Sequence, residues 1–333
     1  MSRTYKATGI NLKSMPIGES DRLVTILTRE HGLVRAVAAG SRKHLSKLGG
    51  RSGLFVVNDL LIAKGRSLDK ITQAETLESY PGLGQDLRKL TASQYLAELV
   101  LYQAYSDQAQ EELFCLFNAH LAQLEILPSD QVLAFLNAAI FRFLALAGVA
   151  PQVHACCITQ TSIVPDFEQP DWRIGFSAAA GGVVVLSELE RIVNEETALR
   201  RNQQKTVHES APRSQNSGTL KEGMISKTAP LNQPSYSTPR QSVRSTTLLK
   251  ASEFHLLQSL AQVQFLAQGG LSQPETALAL AERSRPGASP NQIWLSIEQI
   301  LRQYTEYHFE RPIRSAGLID ACFSSLPTDP SNP

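Results

Sequence analysis

Only four cysteines, Cys115, Cys156, Cys157 and Cys322, are spread over 333 residues. That is too few and too scattered for the disulfide framework of a secreted domain. The opening stretch, MSRTYKATGINLKSMPIGES, has no apolar run of roughly 7–15 residues such as a secretory signal needs, so a cytoplasmic location is expected. Catalytic signatures are missing too: there is no G-x-x-x-x-G-K-[ST] phosphate loop, no G-x-S-x-G elbow and no G-x-G-x-x-G after a strand. His208-Glu209 begins an H-E-x-x-H pattern but continues Ser210-Ala211-Pro212. With no constellation of acid, base or nucleophile, the chain is read as non-enzymatic and free of cofactors. The longest apolar stretch, Val132 to Ala150, carries Arg142 at its centre and Asn137 nearby, which predicts a buried helix of a helical domain and no membrane span.

What is present is a segregation of charge that the net value of +1 hides. Residues 1–80 hold thirteen Lys or Arg against seven Asp or Glu; residues 81–198 hold five against fourteen. Residues 199–247 are basic again, with eight against two, and residues 248–333 hold six against eight. A basic module joined to an acidic one is the footprint of a domain that faces a polyanion.

The order of elements predicts an α+β chain. In residues 1–80, apolar and β-branched clusters at Ala7–Leu12, Leu23–Thr28, Leu33–Ala38, Leu54–Ala63 and Ile71–Leu77 alternate with turn signals. Five short strands close most simply into a small barrel, because closure removes exposed edges. From Tyr80-Pro81-Gly82 the spacing becomes helical, through Leu96, Leu99 and Val100, then Leu113, Leu116 and Phe117, then Val132 to Leu146. Leu127-Pro128-Ser129-Asp130 reads as the end of one helix and the cap of the next. Residues 199–247, rich in Ser, Thr, Gln, Asn and Pro, read as a disordered basic insertion. Helical spacing resumes over 248–320, at Phe254, Leu257 and Leu260 and again at Trp294, Ile297, Leu301 and Tyr304, and residues 321–333 form a flexible tail.

The densest local signal is the run from Ala39 to Arg51, AGSRKHLSKLGGR, between the third and fourth strands. Its glycines allow close backbone approach, Ser41 and Ser46 offer hydroxyl donors, and Arg42, Lys43, Lys47 and Arg51 supply cations for phosphates. Of the aromatics in this region, Tyr5, Phe55 and Tyr80, each lies in an apolar run and is read as packing, so backbone contact dominates over base stacking.

The run Gly18-Glu19-Ser20-Asp21-Arg22-Leu23, then Thr25 to Thr28, Glu30-His31-Gly32-Leu33 and Ala39-Gly40-Ser41-Arg42-Lys43, resembles the N-terminal signature of the RecO family of bacterial recombination mediators. The likeness continues through Phe55 and Ala74-Glu75, and Arg311-Pro312-Ile313-Arg314-Ser315 is similar to the family's C-terminal basic motif. It covers the chain apart from 199–247 and about the last dozen residues. The resemblance implies an N-terminal OB-fold that binds single- and double-stranded DNA, followed by an all-α domain. It also implies annealing of complementary strands, and action with RecR and with the acidic C-terminal tail of single-strand binding protein. Help in loading RecA onto coated strands, and a place at the nucleoid, complete what it implies. Carried onto this sequence, Arg42, Lys43 and Lys47 are the phosphate contacts, with Arg22, Arg35, Lys64 and Arg66 added from local charge.

One departure concerns zinc. Many members of the family that the chain resembles carry a zinc site built from two C-x-x-C pairs, the second just after a Gly-Gly, whereas residues 150–187 here offer His154, Cys156 and Cys157 and no second pair after Gly181-Gly182. A structural zinc needs four ligands, so a ribbon held by apolar packing is expected, without metal. Two other functions stay open on the sequence: a protein-interaction adaptor with incidental DNA affinity, and an RNA-binding OB protein.

Overall fold

The computed structural model describes residues 4–191, 246–266 and 290–323. Most of the basic insertion and the end of the tail lie outside these. The chain divides into two compact units, residues 1–151 with 252–333, and residues 152–251.

The first unit opens with a closed barrel in the order β1-β2-β3-β5-β4. Its strands are β1 (Thr4–Ile17), β2 (Asp21–Thr28), β3 (Gly32–Ala38), β4 (Val57–Ala63) and β5 (Asp69–Glu78). β1 pairs antiparallel with both β2 and β4, and a short parallel pair, Ala36↔Asp69 and Val37↔Lys70, closes the cylinder between β3 and β5. In β3 the burial alternates strictly, so Val34, Ala36 and Ala38 point inward while Arg35 faces out. They join Val24, Ile26, Leu60, Ile62 and Ile71 in the barrel core.

Two strand borders differ from the sequence reading, each for a local reason. β1 continues past a register shift between Asn11 and Lys13 and runs as a ribbon through Pro16↔Arg22, so the turn is confined to residues 18–20. β4 starts at Val57 and not at Leu54, because Phe55 adopts φ 60° and drops its ring, 3% exposed, into the interior. That ring meets Phe117 edge-on at 6.3 Å and ties the barrel to the helices.

The helices of this unit are α1 (Leu87–Gln103), α2 (Glu111–Ile126), α3 (Val132–Leu146), α4 (Ala251–Leu266), α5 (Pro290–Phe309) and α6 (Ala316–Phe323). Asp86 caps α1 by accepting from the Arg88 and Lys89 N–H groups. Ser129, expected to cap α3, instead donates its hydroxyl to Asp86. α3 therefore begins at Val132 with no side-chain cap, held by burial on nearly every face. The buried Asn137 amide NH2 donates there to the carbonyls of Leu133 and of Trp294 on α5, while its Oδ1 is left without a partner. No described helix is long and apolar enough to cross a membrane.

Gly32 joins the barrel to the α1–α2 connection. It sits at φ +64°, and a Cβ there would lie 2.1 Å from the Tyr105 carbonyl oxygen, which accepts from the next residue's N–H. Only glycine admits both the turn and this close approach.

The second unit holds a three-stranded sheet in the order β7-β6-β8, from β6 (Arg173–Ser177), β7 (Gly182–Val184) and β8 (Thr246–Lys250). Thr246 and Thr247, within the segment read as insertion, are thus strand residues paired with Ser177 and Phe176.

Candidate nucleic-acid interface

The loop from Ala39 to Val56 is built as a scaffold. At its entry the Gly40 N–H donates to the Asp21 carboxylate at 2.7 Å and the Arg42 N–H to the Ser20 carbonyl, fastening it to the β1–β2 turn. Hydrogen bonds from Gly40 and from the Ser20 hydroxyl hold the Asp21 carboxyl below the usual carboxylate range. At its exit the Asn11 amide donates to the Arg51 and Gly53 carbonyls, and Asn58 also donates to Arg51. Leu48 packs against the barrel core between these two anchorages. The signature's Asp21, whose charge repels phosphate, thus acts as a fastener between turn and loop.

The predicted cations divide by what they touch. Arg42, Lys43 and Lys47 are exposed on this loop. Among the described residues none of the three forms an ion pair, and Arg42 keeps one side-chain bond, to the Gly18 carbonyl. Arg22 turns inward, donating to the Gly49 carbonyl and the Ser52 hydroxyl, so it braces the loop from beneath. Arg51 is half-buried and contributes its carbonyl to the same frame. Ser41 is only 3% exposed, so its hydroxyl is not presented to a phosphate, whereas Ser46 is half-buried and accepts from the Leu48 N–H, which leaves its O–H to donate.

Arg35, Lys64 and Arg66 come together elsewhere on the barrel. They line a cleft of about 910 Å³ between the start of β1, the β2–β3 turn and the β4–β5 hairpin. Tyr5 and His31 form part of its wall, edge-to-face at 4.7 Å between ring centroids. The Tyr5 hydroxyl donates to Asp69, whose other oxygen accepts from Gly65, so this carboxylate ties ring and hairpin together. Burial and the Asp69 carboxylate push the Tyr5 hydroxyl far above its usual range, so it stays a donor. Sequence reasoning placed Tyr5 in the core and passed over His31; no local pattern joins them, because 26 positions separate the two rings.

At the turn tip, Leu45 has φ 63° and is 90% exposed. The Ser46 N–H donates to the Lys43 carbonyl at 3.2 Å, so Leu45 is the third residue of a closed four-residue turn. That position normally belongs to glycine or asparagine.

In the ribbon, His154 is exposed, while Cys156 is buried with Val184 and Leu189. Burial raises the Cys156 thiol, but the Thr159 hydroxyl and N–H, with the Val185 and Ile158 N–H groups, outweigh it and bring the thiol below its usual range. Among the described residues no group of three or more His, Cys, Asp or Glu could hold a metal. The donor set does not fit a four-ligand zinc, and apolar packing around Cys156 supplies the ribbon's core.

Comparison with known proteins agrees with this architecture. Residues 1–80 match the family model "Recombination protein O N terminal", and residues 84–189 match "Recombination protein O C terminal". The chain is 50% identical over 331 residues to a DNA repair protein RecO of Nostoc sp. (strain PCC 7120 / SAG 25.82 / UTEX 2576), covering 98% of each. It is 49% identical over 329 residues to that of Nostoc punctiforme and 50% over 327 residues to that of Acaryochloris marina, again covering 98% of each chain. Barrel, helices and full-length identity together place the chain in the Recombination protein O (RecO) family.

Proposed function

We propose that this chain is a DNA repair and recombination mediator that works by holding nucleic-acid backbones on its barrel. The observation that carries this reading is the loop from Gly40 to Arg51: Arg42, Lys43 and Lys47 stand exposed on a frame fixed by Asp21, Arg22, Asn11 and Asn58. Cations presented on a preformed loop neutralise phosphates with little ordering cost. Arg35, Lys64 and Arg66 in the cleft supply a second cluster on the same barrel. A strand that follows the barrel between them meets phosphates at both, on single- or double-stranded DNA.

The relatives' name, DNA repair protein, agrees with this reading. Within it, bound strands are annealed, RecR and the acidic tail of single-strand binding protein are the protein partners, and RecA is loaded onto the strand so exposed. The basic residues of 199–247 add a further DNA contact, and the working location is the nucleoid. No step in this scheme needs a catalytic group.

The test is annealing of two complementary labelled oligonucleotides followed by energy transfer. Wild type is expected to accelerate pairing over the spontaneous rate, and Arg42→Ala/Lys43→Ala to lose most of that acceleration. Equal rates with and without protein would count against the mediator reading. The same titration with RNA strands separates it from an RNA-binding barrel.

A further inference from the structure

Leu45 is the most exposed large apolar side chain among the described residues, and it sits at a backbone angle that L-residues avoid. Both features cost stability, and glycine or asparagine would hold this turn position at less cost. Leu48, three positions on, packs into the barrel core, so the loop has its anchor without Leu45. The turn around Leu45 is closed by its own hydrogen bond and fixed at both ends of the loop. The outward apolar tip is therefore a built feature, and strain of this kind collects where a side chain must be aimed at something.

What the tip meets is constrained by its surroundings. Arg42, Lys43, His44 and Lys47 are all exposed around it. A surface that accepts Leu45 must combine an apolar slot with anionic groups on its rim. Two neighbouring bases between their phosphates have that chemistry, and apolar wedges of this kind enter base steps in other DNA-binding proteins. We propose that Leu45 is a wedge: while the flanking cations hold phosphates, its side chain enters a base step and holds the two bases unstacked. This rests on the reading of the loop as a phosphate-binding element. It deepens that reading, because splayed bases are free to search for a complementary strand.

The test uses the full chain and a single-stranded oligonucleotide carrying 2-aminopurine, whose emission rises when it unstacks. Leu45→Gly removes the wedge and suits the positive φ, so the loop keeps its backbone path and the thermal midpoint should not fall. Wild type is expected to raise the emission and Leu45→Gly to lose that rise. The variant should bind up to about tenfold more weakly but with an unchanged dependence on salt. Equal emission and equal affinity for the two proteins would overturn the wedge and make Leu45 a contact for a protein with an acid-rimmed apolar pit. The phosphate reading fails separately, if Arg42→Ala/Lys43→Ala leaves the salt dependence as it was, and a wild type that binds no DNA at low salt overturns both.

Discussion

Arg22 and Arg42 are the same residue type in the same basic region, yet the fold gives them different work. Arg22 donates to Gly49 and Ser52 inside the loop frame, while Arg42 is exposed. Arg22→Ala is expected to lower stability by about 1 kcal/mol through lost hydrogen bonds, and Arg42→Ala to stay within about 0.5 kcal/mol of wild type. Paired urea titrations of the two variants measure the difference; equal losses would contradict this division. Charge and spacing in the sequence brought both arginines to notice, but not which would be spent internally, since that depends on a carbonyl and a hydroxyl 27 and 30 positions away.

His120 gives a second prediction at the same scale. It is 2% exposed on α2, with its ring tilted against those of Phe135 and Phe143, and its Nδ1–H must be the donor to the Leu116 carbonyl. Burial lowers its pKa from 6.5 to about 4. The folded protein thus keeps a neutral ring where the unfolded chain takes up a proton. Stability is full above about 6.5 and falls as the pH drops toward 4, by about 3 kcal/mol from this group. His120→Leu is expected to flatten unfolding free energy against pH in that window; an unchanged slope would show that His120 is not its source.

Among the elements, α5 and α6 are locked by an ionic cluster that periodicity does not reveal. Arg302 donates to both oxygens of Glu298, which is fully buried, and to both oxygens of Asp320 on α6. Removing one member strands a buried charge, so Arg302→Ala is expected to cost about 3–5 kcal/mol. Glu298→Leu/Arg302→Met should cost clearly less, because no buried charge is then left behind and the remaining Asp320 carboxylate, 44% exposed, is solvated by water. Chemical denaturation of the two variants checks the order, and a double variant as unstable as the single one would refute it. The helices themselves were legible, since α1, α2, α3 and α5 follow apolar spacing. The five strands were also legible, except where one residue's conformation overrides its pattern, as Phe55 does at the start of β4. The pairing of β8 with β6 was not, because sequence-distant hydrogen bonding leaves no periodic trace.

For the whole molecule, charge segregation read from composition corresponds to a physical division. The basic N-terminal residues form the barrel, and the acidic stretch after them supplies α1 to α3 and the ribbon strands β6 and β7. The exposed loop cations were therefore foreseeable, while the cleft was not: Tyr5, His31, Arg35, Lys64 and Arg66 meet only once the barrel closes. The central claim is that the barrel binds DNA through phosphate contacts on the loop from Gly40 to Arg51. The measurement that tests it most directly is the affinity of wild type and Arg42→Ala/Lys43→Ala for one single-stranded oligonucleotide across a range of salt concentrations. Each lost phosphate contact flattens log K against log salt by about 0.7, so the double variant should be shallower by about 1.4 at unchanged fold stability. A slope equal to that of wild type would contradict the account.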